Sequence, residues 1–222
     1  SNISPTPASI TLKKGPVAAT SGTFGNQSFV FSIVSDITVP VLDGIASFDE
    51  ISIYQGSLLT SNFTYSSRTP NAKFILPNAG IDTDLLNVVV KGTQQSTTQT
   101  AYTAQDSLFN ITKDSKVYYL QEIEDERYQL IFGDGIFGKA LEEGNYIIAD
   151  YIVCNGDSGN GVNQFEFAGS LSYTRNGNTY TVTDGISLIT TDISSKGGET
   201  IETVDSIKKF APRIYASQNR AL

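Results

Sequence analysis

The sequence predicts a mainly β protein (α+β), built from antiparallel strands and hairpins in two lobes with a helix near the C-terminus. Strand-forming residues are frequent, including 11 Tyr and 12 Phe, and Gly occurs 19 times. Short apolar runs are separated by Gly, Asn and Asp turns that are too short for crossover helices. Helical spacing of apolar residues stands out only in the last quarter of the chain.

The first 92 residues are interpreted as a β-rich lobe. Its predicted strands cover residues 28–34, 50–54, 63–65, 73–76 and 86–90. The stretch 92–105, GTQQSTTQTAYTAQ, is polar and lacks apolar periodicity, which predicts a surface loop or a domain boundary. We therefore place the first lobe at residues 1–92, the second at 93–198 and a helical segment at 199–222.

The second lobe continues the pattern of strand and turn. Its predicted strands cover residues 117–120, 128–132, 146–153, 164–167, 172–174 and 179–182. Asn176-Gly177 between the last two is a strong signal for a two-residue hairpin, since both residue types tolerate positive φ.

The predicted helix begins near Thr200 and ends at Ala211-Pro212. Its apolar positions recur every three residues and form a candidate protein interface: Ile201, Val204, Ile207 and Phe210. The alternative, that this stripe packs within its own domain, stays open. No capping glycine follows, so the chain is expected to be a fragment of something longer.

A glycine-rich stretch around residue 135 contains two phosphate-binding patterns, G-x-G-x-x-G and G-x-x-x-x-G-K. Either site requires a helix whose N-terminal amides face the phosphate, but only residues 139–143 separate these glycines from the next turn. Ala140 also lacks the hydroxyl that binds Mg²⁺ in a P-loop. We therefore predict a turn in which Gly supplies positive φ and Asp134 accepts backbone hydrogen bonds.

Two other glycine-containing turns, at residues 144–145 and 155–161, are also predicted to be structural. The loop 155–161 has oxygen-bearing side chains at alternate positions, as a Ca²⁺ loop does, but lacks the closing bidentate Glu, so no metal site is predicted. The residues predicted to form structural turns are Gly133, Asp134, Gly135, Gly138, Gly144, Asn145, Gly159, Asn160 and Gly161.

Composition argues against several classes of function. The chain has no His, which removes the usual general base and His-ligated zinc, and its net charge of −8 disfavours nucleic acid and anionic membranes. Cys154 is predicted to be a small buried hydrophobe. The carboxylates at 122–126 are predicted to form the solvated tip of a hairpin. We expect no catalytic residue, no cofactor and no small-molecule substrate.

The order of several motifs resembles the baseplate J-like family, and within it the large wedge proteins of T-even-type phage baseplates. The carriers, which cover about half of the chain, are 117–122 (VYYLQE), 128–135 (YQLIFGDG), 137–139 (FGK), Gly144-Asn145, the strand through Tyr151, 159–161 (GNG), 199–212 (ETIETVDSIKKFAP) and 218–221 (QNRA). Residues 1–90 carry weaker matches, chiefly 73–79 and Asp82-Thr83.

The resemblance implies a structural protein of the virion, located in the tail baseplate and assembled in the host cytoplasm. Its partners would be copies of itself and other wedge proteins, in a ring around the tail hub that supports tail assembly and sheath contraction. Two other readings remain: a carbohydrate-binding or adhesive β-sandwich, suggested by Tyr, Asn and Gly in turns, and a two-carboxylate glycoside hydrolase.

Overall fold

The computed structural model describes residues 6–20, 27–69, 72–189 and 193–199. Strands make up 48% of the chain, which confirms the prediction of a mainly β protein with antiparallel sheets. Within the described ranges the strands are β1 (Ser9–Leu12), β2 (Gly15–Thr20), β3 (Val30–Ile33), β4 (Ile37–Pro40), β5 (Tyr54–Gln55), β6 (Ser57–Thr64), β7 (Phe74–Leu76), β8 (Ile81–Lys91), β9 (Gln99–Gln105), β10 (Val117–Ile123), β11 (Arg127–Phe132), β12 (Tyr146–Val153), β13 (Phe165–Phe167), β14 (Leu171–Arg175) and β15 (Asn178–Val182). Short 3₁₀ turns occupy Glu124–Glu126 and Gly156–Gly159.

The largest sheet has seven strands in the order β6-β12-β8-β9-β10-β11-β7 and curls into a nearly closed barrel. All neighbours are antiparallel except β9 and β10. The rings of Phe63 on β6 and Phe74 on β7 lie 5.6 Å apart, so aromatic packing bridges the two edge strands. The side chains buried inside are Phe74, Leu76, Ile81, Val88, Val90, Tyr102, Tyr118, Leu130, Ile147, Ala149 and Tyr151.

Two four-stranded sheets, ordered β15-β14-β1-β4 and β13-β2-β3-β5, supply the rest of the described fold. Consecutive residues of β2 point to opposite faces, so Val17 joins one apolar cluster and Ala18 joins another. The first cluster also buries Leu12, Ile33 and Leu171 from both sheets. These sheets therefore pack face to face through that cluster.

The prediction of a surface loop or domain boundary at 92–105 is wrong for its second half. Residues Gln99–Gln105 form β9, an interior strand of the seven-stranded sheet that pairs with β8 and β10. Only Tyr102, which is 7% exposed, gives the segment an apolar anchor in the core. Pairing with two neighbours specifies this strand, because its own sequence has almost no apolar alternation.

The division predicted at residue 92 does not separate two sheets. The seven-stranded sheet takes β6, β7 and β8 from before that point and four further strands from after it. In the smaller sheets, β1 pairs with β14 and β2 pairs with β13, so they too combine distant parts of the chain.

The predicted C-terminal helix lies outside the described residues, together with its candidate interface positions Ile201, Val204, Ile207 and Phe210. In the described part of the chain, no helix has the length and apolar character needed to cross a membrane.

Candidate interaction surface

The glycine-rich stretch that follows β11 forms a tight turn. The Asp134 carboxylate accepts hydrogen bonds from the backbone N–H groups of Ile136 at 2.9 Å and Phe137 at 2.8 Å. Gly135 has φ of 87° and donates its N–H to the Gly138 carbonyl at 3.0 Å. The amides at 135–137 therefore all donate to oxygens of the turn itself.

This turn is joined to the long connection between the parallel strands β9 and β10. Gly138 donates its N–H to the Thr112 carbonyl at 3.1 Å, and Lys139 donates to the Ser115 carbonyl at 2.7 Å. The Ser115 hydroxyl accepts the N–H of Thr112 at 3.0 Å, which closes a turn within the connection. Two loops from different parts of the sequence thus hold each other in place.

Large apolar side chains project into solvent from both loops. We define the loop surface by its four most exposed apolar residues: Leu108 at 53%, Phe109 at 88%, Ile136 at 67% and Phe137 at 45% exposure. Exposed apolar side chains on two adjoining loops make this surface a candidate protein–protein contact site. Sequence reasoning identified the turn but missed its exposed apolar residues, because burial depends on the fold.

The carboxylate of Asp134 holds the turn, and its titration is a direct test. Its N–H donors, Phe137 first and then Ile136, hold the pKa of Asp134 below its ordinary value of 3.8. Because this pKa is lowered, the stabilisation that the ionised Asp134 carboxylate gives to the turn is complete above pH 3.8 and is lost as pH falls through the folded pKa.

We therefore expect the amide proton shifts of Ile136 and Phe137 to move together below pH 3.8 in an NMR titration. Asp134→Asn retains a side-chain oxygen and should keep the turn with no titration. Asp134→Ala should lose the turn at every pH. If the amide shifts of Ile136 and Phe137 do not change as the Asp134 carboxylate is protonated, this arrangement is contradicted.

The predicted turn at Gly144-Asn145 connects to the end of β6. Gly144 has φ of 82° and donates its N–H to the Tyr65 carbonyl at 3.1 Å, while Tyr65 donates to the Asn145 carbonyl at 2.9 Å. The Asn145 side-chain oxygen accepts the Glu142 N–H at 3.0 Å. The turn thereby fixes the register at the start of β12.

The loop containing Gly159, Asn160 and Gly161 receives the segment 193–199. Ser195 exchanges backbone hydrogen bonds with this loop: it accepts from Gly161 and donates to Val162, both at 2.8 Å. Its hydroxyl donates to the Gly159 carbonyl and accepts the Val162 N–H at 2.9 Å. Sequence reasoning missed Ser195, because no local pattern signals a contact with a loop 33 residues away.

Asn160 completes this attachment with its side-chain amide. The amide nitrogen donates to the Gly198 carbonyl at 2.8 Å, and the amide oxygen accepts the Gly198 N–H at 3.0 Å. The Asn160 side chain therefore binds the backbone of Gly198 to this loop. Among the described residues, no group of three or more Cys, Asp or Glu is placed to hold a metal ion.

The carboxylates at 122–126 lie at the tip of the β10–β11 hairpin, as predicted, where Asp125 and Glu126 have φ of 63° and 55°. This placement differs from a pair of carboxylates facing each other across a cleft. The prediction for Cys154 was too strong: it is half-buried beyond β12, with Sγ 3.6 Å from the Gly80 carbonyl oxygen.

Comparison with known proteins gives no family or function for this chain. No protein-family model matches the chain, and neither does any curated protein.

Proposed function

We propose that the chain is a structural subunit of a contractile-tail phage baseplate wedge, which acts by binding copies of itself and other wedge proteins. The observation that carries the proposal is the loop surface, where two mutually hydrogen-bonded loops present Leu108, Phe109, Ile136 and Phe137 to solvent. The family resemblance supports it, because the FGDG turn, one of the motifs whose order carries that resemblance, is one of these two loops.

The energetics of the loop surface suit a binding role. Burial of apolar area contributes about 25 cal/mol per Å², and aromatic residues dominate interface energies. Phe109 and Phe137 are therefore the expected anchors of a contact. The Phe137 N–H is already bonded to the Asp134 carboxylate, and the Phe109 N–H is bonded to the Ser107 hydroxyl, so binding requires little further ordering.

The proposal is tested by measuring binding to the purified wedge proteins of the phage that encodes the chain. We expect a stable complex in sedimentation velocity, and Phe109→Ser combined with Phe137→Ser should weaken it by about 100-fold or more. Leu42→Ser combined with Ile45→Ser is the matched control, because these residues are exposed by 68% and 69% on a different loop.

Retention of the fold in both double variants is checked by circular dichroism. The proposed function is contradicted if the wild-type chain binds no wedge protein. The assignment of the loop surface is contradicted if both double variants lose binding equally or if neither does.

A further inference from the structure

The strand β15 forms an open edge of its sheet. Within the described part of the chain, β15 pairs only with β14, and Asn178 to Thr181 are all exposed. Soluble proteins usually protect such an edge with Pro, charged side chains or a bulge, because its free N–H and C=O groups can pair with another strand. The opposite edge, β4, ends at Pro40, whereas β15 carries no Pro and no charged residue.

The direction of each backbone group on β15 follows from its register. The two-residue turn has φ of 50° at Asn176 and 78° at Gly177, and Arg175 pairs with Asn178 across it. Such turns are closed by a hydrogen-bonded pair, after which hydrogen-bonded and non-bonded pairs alternate. Tyr180 therefore points its backbone groups toward β14.

The pairing of β14 with β1, on its other side, independently gives the same alternation of backbone directions. Lys13 on the β1 side donates its N–H to the Ser170 carbonyl, so even-numbered residues of β14 face β1 and odd-numbered ones face β15. It follows that Thr179 and Thr181 direct their backbone N–H and C=O groups away from the sheet.

We propose that β15 is a self-association site, at which the β15 strands of two copies pair antiparallel about a two-fold axis through Tyr180. Thr179 of each copy then lies opposite Thr181 of the other, and these residues exchange four backbone hydrogen bonds. The two sheets become one continuous eight-stranded sheet. This inference rests on the proposed function, since it assigns a contact between copies within the wedge.

A second copy of this chain fits the edge better than an unrelated strand, because it brings a matching aromatic pair to the contact. The rings of Tyr173 and Tyr180 are already stacked, with centroids 5.3 Å apart and planes at 19°. Pairing at Tyr180 places two such stacks beside each other, in the close geometry of a non-bonded cross-strand pair.

Charge also permits this contact. The whole chain has a net charge of −8, which opposes association of copies through most surfaces, but β15 carries none of that charge. Arg175 precedes the hairpin turn and Asp184 follows the strand, at opposite ends of the edge. Antiparallel pairing brings the basic end of one copy toward the acidic end of the other.

Thr181→Pro tests the proposal, because proline removes the outward N–H without removing a hydrogen bond to β14. Sedimentation velocity over a broad concentration range should show the wild-type chain passing from 23.9 kDa to twice that mass. The variant's dimer should be weaker by about tenfold or more, since two symmetry-related hydrogen bonds are lost.

Thr38→Pro on β4 is the matched control. Ile37 and Val39 face β1, so the N–H of Thr38 also points outward, at the opposite edge of the same sheet. We expect it to dimerise like the wild type. A wild-type chain that stays monomeric, or a dimer that Thr181→Pro leaves intact, overturns the proposal.

Amide hydrogen exchange distinguishes a second copy from other occupants of the edge. The amides of Thr179 and Thr181 should become protected as protein concentration rises, whereas the Tyr180 amide is protected throughout. Protection of Thr179 and Thr181 that does not depend on concentration would assign the edge to another segment of the same chain. A chain that binds wedge proteins but remains monomeric contradicts the β15 dimer and leaves the proposed function unaffected. A chain that dimerises through β15 but binds no wedge protein contradicts the proposed function and leaves the β15 dimer unaffected.

Discussion

Gly133→Ala is expected to destabilise the protein by about 3 kcal/mol, a large part of the 5–15 kcal/mol that stabilises a typical domain. A Cβ at this position would collide with the backbone Cα, carbonyl carbon and carbonyl oxygen of Gly138. Gly138 cannot move aside, because its N–H is bonded to the Thr112 carbonyl. The Val117 side chain also fills the space next to the Gly138 Cα, where a Cβ would lie. Urea denaturation measures the loss as a lower midpoint with an unchanged slope.

Substitutions at two further glycines distinguish the effect of a steric contact on stability from the effect of backbone strain. Gly177→Ala should cost about 1 kcal/mol, since its φ is 78° but no atom lies near the added methyl group. Gly92→Ala should change the stability by less than about 0.5 kcal/mol, because it meets no atom and needs no positive φ. Equal effects at Gly133 and Gly92 would contradict the close contact between Gly133 and Gly138.

The comparison also shows what a sequence pattern can predict. That 133–135 forms a turn follows from residue types, because Gly tolerates positive φ and Asp bonds to nearby amides. The φ of 87° at Gly135 agrees with that reasoning. Gly133 is glycine for a different reason, the approach of Gly138, and this contact exists only once the turn lies against the rest of the fold.

Strand order was beyond sequence reasoning for a related reason. Most predicted strands are present because alternation and turn residues are local signals. Which strands pair depends on contacts between distant residues, such as Tyr146 with Lys91 or Thr11 with Ser172. A boundary placed by composition at residue 92 therefore falls within a sheet, and a polar strand such as β9 is mistaken for a loop.

The second large effect is expected at Lys14, whose ammonium group lies 2.5 Å from the carboxylate of Asp150. The Asp150 side chain is 6% exposed, and its other oxygen accepts a hydrogen bond from the Thr60 hydroxyl. Lys14 lies between β1 and β2, whereas Asp150 and Thr60 belong to β12 and β6, so the ion pair links the smaller sheets to the seven-stranded one. Lys14→Met should destabilise the protein by about 3 kcal/mol, since it leaves a buried carboxylate without its cation.

The two partners should respond unequally, and this asymmetry identifies the cause. Asp150→Asn should cost only about 1 kcal/mol, because Asn still accepts the Thr60 hydrogen bond and the Lys14 side chain, which is 44% exposed, can turn into water. Combined with Asp150→Asn, Lys14→Met should cost less than it does alone, since no buried charge is then left unpaired.

Lys13→Met provides the matched control one residue away. Lys13 forms an ion pair of similar length with Asp36, at 2.6 Å, but their side chains are 47% and 41% exposed. Such a pair contributes about 0–1 kcal/mol. Lys13→Met should therefore leave the urea midpoint nearly unchanged, while the pKa of Asp36, which the Lys13 hydrogen bond lowers, returns toward its ordinary value of 3.8. If both methionine variants unfold at the same urea concentration, burial of Asp150 does not set the strength of the link.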